Sequence, residues 1–81
     1  MFLSDKLNQI VAENKKNNRV LAHKIDTVLG QEIERIGKIK SYAERKGCAQ
    51  RAKNALRLAL KHNGSHIDTT QIEQKLNHLM Y

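Results

Sequence analysis

In "RVLAHKIDTVLGQEIERIGKIKSYAERKG", residues 19–47, the apolar positions hold helical register almost throughout, the longest such pattern in the chain. Leu21, Ile25, Val28/Leu29, Ile33, Ile36, Ile39 and Ala43 keep one face apolar at the three- and four-residue spacing of an α-helix. The pattern predicts one long helix from Arg19 to Lys46. Gly30 and Gly37 lie inside it, and each costs about 1 kcal/mol relative to alanine, so tertiary packing has to hold the helix. Both glycines are expected where another helix passes closely. A sustained stripe of this kind suits a bundle or coiled-coil partner.

Beyond Gly47 the apolar positions become Cys48, Ala52, Ala55, Leu56, Ala59 and Leu60, out of phase with the preceding stripe by roughly half a helical turn. A kink or break is therefore expected at Gly47. Asn63-Gly64 has the form of a left-handed helix stop, with Lys61 and His62 placed to meet the negative helix end. In "SHIDTTQ", Ile67 reads as a buried extended anchor, and Asp68 followed by Gln71 resembles a capping box. The last helix then buries Ile72, Leu76, Leu79 and Met80. At the other end, Ser4 is the expected N-cap of a first helix carrying Asp5, Leu7, Ile10 and Val11, and Asn17-Asn18 interrupts it.

Over the whole chain, 81 residues with 40% hydrophobic and 28% charged content fit one small domain, residues 1–81. Proline and tryptophan are absent, and the apolar residues are mostly Leu, Ile and Ala, which favours an all-α bundle of about four helices. A chain this short buries only about 60% of its unfolded surface, so a homodimer is expected, with the stripe from Leu21 to Ala43 as its interface. Cys48 is the only cysteine and reads as a small buried residue of a reduced, intracellular protein, cytoplasmic or nucleoid-associated. No apolar run approaches the ~20 residues of a membrane span, and "MFLSDKL" lacks the pattern of a secretory leader.

The charge is unevenly placed. The net charge is +7, and residues 31–64 hold Arg35, Lys38, Lys40, Arg45, Lys46, Arg51, Lys53, Arg57 and Lys61 against Glu32, Glu34 and Glu44. Concentrated positive charge raises the local concentration of polyanions and speeds encounter with them, so nucleic acid heads the expected partners, DNA before RNA. On a single long helix Arg35, Lys38, Tyr42 and Arg45 share a face, with the tyrosine placed to stack on a base or sugar. Arg51 and the row Lys53, Arg57 and Lys61 complete the contact set.

Other chemistries find little in the chain. His62 and His66 are separated by Gly64, and one cysteine adds no paired cluster, so no metal or other cofactor is expected. No glycine-rich phosphate loop, GxSxG or HExxH is present, and Glu32, Glu34 and Glu44 have basic neighbours, so the chain does not read as an enzyme.

The segment "ALRLALKHNGSHIDTTQIEQKL", Ala55 to Leu76, resembles the end of the central helix, second loop and third helix of histone-fold proteins of the archaeal and bacterial type. Lys61, His62, Gly64, Ile67, Ile72 and Glu73 carry the resemblance, which covers about a quarter of the chain. It implies a head-to-tail homodimer that binds DNA phosphates without reading bases. Residues and resemblance together give the expected function: a small nucleic-acid-binding protein, architectural or regulatory, acting mainly on the phosphate backbone. The alternative is a helical interaction module, such as an inhibitor, assembly or accessory factor, docking on an acidic protein surface.

Overall fold

A computed structural model describes residues 2–81 as four helices: α1 (Leu3–Glu13), α2 (Asn18–Gly37), α3 (Tyr42–His62) and α4 (Thr70–His78). The described residues contain no strand. The all-α class and the number of helices agree with the sequence pattern, whereas the position of the central break does not. Residues 19–47 are not one helix. α2 ends at Gly37, residues 38–41 form a loop, and α3 runs unbroken through Gly47.

The break has a local cause. Ser41 takes extended backbone angles and its hydroxyl accepts from the Glu44 N–H at 3.3 Å, which nucleates a new helix at Tyr42. "SYAE" is a capping-box sequence, so the start signal was present in the chain. The apparent continuity of the stripe across it was coincidental. Ile39 packs against the core from the loop, and Ala43 is exposed.

The other boundaries follow equally local rules. α1 begins at Leu3 after Phe2, with no side-chain cap, so Ser4 is a first-turn residue and not the N-cap. Asn17 caps α2 by accepting from the Val20 N–H at 3.2 Å. Gly64 has φ +63, the left-handed geometry that ends α3. The expected capping box at Asp68 and Gln71 is absent: Asp68 Oδ1 accepts from the Thr70 N–H at 3.0 Å, and the Thr69 hydroxyl donates to Glu73 at 2.9 Å. Ile67 is half-buried against the core.

α3 is the centre of the bundle and is approached closely by all three other helices, while the backbones of α1 and α4 stay apart. Leu7, Val11, Leu21, Ile25, Leu29, Leu56, Ala59 and Ile72 form one buried cluster; Ile36, Ala49, Ala52 and Leu76 form a second, and Leu3 and Ile33 pack against both. Early α2 therefore meets late α3, and late α2 meets early α3: the pair is an antiparallel hairpin. α4 also runs antiparallel to α3, as the pairs Arg57–Glu73, Lys53–Asn77 and Arg45–Leu79 show. Alanines at 49, 52 and 59 let the flanking helices approach the α3 axis.

This packing corrects the role of the stripe. Leu21, Ile25, Leu29 and Ile36 are each 1% exposed or less within a single chain, so the face expected to form a dimer interface is the protomer's own core. The glycines also differ from expectation. A Cβ on Gly30 would meet nothing within 4 Å, so no helix passes there, and one on Gly37 would only touch Leu79 at an ordinary 3.6 Å. Among the described residues no helix is long and apolar enough to cross a membrane.

Candidate nucleic-acid interface

The break at residues 38–41 redistributes the basic residues. Arg35 stays on α2, Lys38 falls in the loop, and Tyr42 and Arg45 open α3. The four do not share one helix face. Arg35 is held by Glu32 at 2.8 Å, and this hydrogen bond, with the carboxylate's charge, raises its pKa above the ordinary arginine value.

Tyr42 and Arg45 are occupied in the fold. The Tyr42 hydroxyl donates to the Met80 carbonyl at 2.7 Å. Arg45 Nε donates to the Leu79 carbonyl and Nη1 to the Ile39 carbonyl, both at 3.1 Å, while its guanidinium carbon lies 5.6 Å from the Tyr42 ring centre. These carbonyls sit at the end of α4 and in the loop after α2, where helical partners have run out. Arg45 satisfies both and brings a positive charge to the negative ends of two helices. Its place at the first turn of α3 thus makes it a clamp on the bundle.

The expected row Lys53, Arg57 and Lys61 is also divided. Lys53 is half-buried and donates to Asn77 Oδ1 at 2.9 Å. Arg57 is exposed and bridges to Glu73 at 2.8 Å. Burial pushes the Glu73 carboxyl up, but hydrogen bonds from Arg57 and Thr69, with the charges of Arg57 and Lys53, outweigh it and hold the group below the ordinary glutamate value. Lys61 is exposed in the last turn. Arg51 is exposed too, and its Nη2 lies 3.2 Å from Cys48 Sγ. Cys48 is half-buried and not enclosed as expected: it lines a 340 Å³ hollow with Arg35, Arg51, Phe2 and Ser4.

A coherent face emerges on α3. Its buried residues Ala49, Ala52, Leu56 and Ala59 mark the inward side. Advancing about 100° per residue, Asn54 points directly outward, with Gln50 and Leu58 about 40° to either side of it. Lys46 and Arg57 lie further round on the Gln50 side, Arg51 lies further round on the Leu58 side, and Lys61 extends the face toward the helix end. All seven are exposed. From Lys46 to His62, α3 contains no acidic residue. Lys46, Gln50, Asn54 and Leu58 were absent from the set expected from sequence. The start of α3 at Ser41 fixes the phase that would have found them.

Compared with models of protein families, with curated proteins and with solved structures, the chain matches none of them.

Proposed function

We propose that the protein binds nucleic acid, DNA before RNA, through the outward face of α3, and that phosphate contacts supply most of the affinity. The observation that carries this reading is the placement of charge. Residues 38–62 hold Lys38, Lys40, Arg45, Lys46, Arg51, Lys53, Arg57 and Lys61 against Glu44 alone, an excess equal to the chain's entire net charge of +7. Everything outside this segment sums to neutrality. α3 carries six of these eight cations, and four of them, Lys46, Arg51, Arg57 and Lys61, are exposed along its outward side as a rod facing a rod-shaped polyanion. The resemblance of Ala55 to Leu76 to histone-fold proteins points toward the same class of partner.

The contact set is the cations that the fold leaves exposed, of which Arg35 and Arg57 each also hold a carboxylate, Glu32 and Glu73. Lys46, Arg51, Arg57 and Lys61 lie on the outward face, Arg35 lines the hollow beside Arg51, and Lys38 is exposed in the preceding loop. Tyr42, Arg45 and Lys53 position the bundle. The competing reading, a module docking on an acidic protein surface, keeps the same basic residues, but the apolar stripe of α2 is closed within the bundle and offers it no groove. The homodimer belongs to the same proposal, with an interface lying outside the buried stripe of α2.

Fluorescence anisotropy with labelled duplex DNA, single-stranded DNA and duplex RNA across ~50 to 200 mM salt tests the reading. Micromolar or tighter binding at low salt, weakening linearly in log–log form, is the expected result. Absence of binding to every probe at low salt, or unchanged affinity after joint neutralisation of Arg51, Arg57 and Lys61, overturns it.

A further inference from the structure

We infer that the outward face of α3 reads base edges in the major groove of duplex DNA, with Gln50 and Asn54 as the hydrogen-bonding amides and Leu58 as the apolar contact. The inference rests on the phosphate-binding reading and assigns a different job to different residues of the same face. Phosphate contacts fix register and affinity, whereas sequence is read by groups that meet base edges.

The order of residues around α3 matches that division. Cations occupy the flanks: Lys46 and Arg57 on one side, Arg51 with Arg35 beside it on the other. The centre of the face holds two amides and a leucine, with Lys61 on the same line near the helix end. A helix laid in a groove about 12 Å wide meets phosphates of the two strands with its flanks and base edges with its outermost line. The span from Lys46 to Lys61 is about 22 Å at 1.5 Å per residue, long enough for the flanking cations to contact several phosphates. The deep, narrow major groove of A-form RNA does not admit such a helix, so the partner is DNA.

The chemistry of the central groups is equally specific. Gln50 Nε2 donates to Asn54 Oδ1 at 3.1 Å across one helical turn, which orients the Asn54 amide. A carbonyl oxygen accepts two hydrogen bonds, so Oδ1 retains a lone pair while Nδ2 remains a donor. That pairing complements adenine, whose major-groove edge offers the N6 donor and the N7 acceptor. Leu58 is 54% exposed and belongs to neither buried cluster. One turn beyond Asn54, it is an apolar surface for the thymine methyl group, the only methyl presented in that groove.

Enrichment of binding sites from randomised duplex DNA, followed by anisotropy on the enriched site and on a scrambled duplex, tests the inference. The expected result is a short motif containing A·T pairs, bound about tenfold or more tighter than the scramble, the discrimination of one good bidentate contact. Asn54→Ala and Gln50→Ala bring the two affinities to within about twofold while leaving scramble affinity and salt slope unchanged. Replacing thymine by uracil in the site weakens binding of the parent protein but not of Leu58→Ala. All three positions are exposed, and thermal melts of the variants verify folding. Salt-dependent binding with no enriched motif overturns base reading and leaves phosphate binding standing. No binding to duplex DNA overturns base reading, no binding to single-stranded DNA or duplex RNA either overturns both, and a preference that survives Asn54→Ala and Gln50→Ala overturns the assignment of these residues.

Discussion

The guanidinium of Arg45, in the first turn of α3, donates to the carbonyl of Leu79 at the end of α4, 3.1 Å away, while Nη1 of the same side chain holds the Ile39 carbonyl. One residue thereby ties together the loop after α2, the start of α3 and the end of α4. Arg45→Ala is expected to cost about 1.5–3 kcal/mol, the range for hydrogen bonds to a charged group. Tyr42→Phe, losing the bond to Met80, costs about 0.5–1.5 kcal/mol. Urea denaturation measures both. Nucleic-acid affinity of the folded variants stays within about twofold of the parent, because each lost phosphate contact would instead change the salt slope by about 0.9.

Lys46, Arg51 and Lys61 behave oppositely. Their charges face solvent and bridge no two helices, so substitution by glutamine changes the melting temperature little, Lys61 losing only its place at the negative end of α3. Each lowers the slope of log affinity against log salt by about 0.9 on duplex DNA. Lys15→Gln, in the loop between α1 and α2, serves as the control and leaves the slope unaltered. Equal effects at all four positions would mean that affinity follows net charge alone and that α3 has no special role.

The Arg57–Glu73 bridge couples stability to pH and to binding. The Glu73 pKa is lowered in the folded state, so the unfolded chain takes up the proton more readily. The contribution is complete above the ordinary glutamate value and is lost as pH falls through the folded value. Acid unfolding curves of Glu73→Gln should lack this component. The same variant releases Arg57 and removes a negative charge beside the proposed interface, so its affinity for duplex DNA rises. A fall in affinity would show that Glu73 positions Arg57 productively.

Two glycines give opposite predictions. Gly30 lies within α2 with open space at its Cβ position, so Gly30→Ala stabilises by about 1 kcal/mol through helix propensity alone. Gly64 has the same open space but φ +63, and an L side chain there costs about 1–2 kcal/mol, so Gly64→Ala destabilises. Paired thermal melts of the two variants read both signs.

The helical class, the number of helices and most of the core are legible along the chain, because apolar periodicity is a local property. Leu7, Val11, Leu21, Ile25, Leu29, Ile36, Leu56, Ile72 and Leu76 are all buried where the spacing put them. The gathering of charge in the middle of the chain is legible as well. The central break was encoded too, in the Ser41–Glu44 cap, but the stripe through Ile36, Ile39 and Ala43 masked it, since period alone does not reveal whether the backbone between two apolar residues stays helical.

What each cation does depends on the packing of the helices. Arg45, Lys53 and Arg57 look alike along the chain, yet their partners Leu79, Asn77 and Glu73 lie on α4 or just past its end, 16 to 34 residues away. Which arginine clamps the bundle and which faces solvent depends on the antiparallel packing of α4 on α3. That packing also turns Gln50, Asn54 and Leu58 outward, because three helices crowd the alanine side of α3 and leave its other side open.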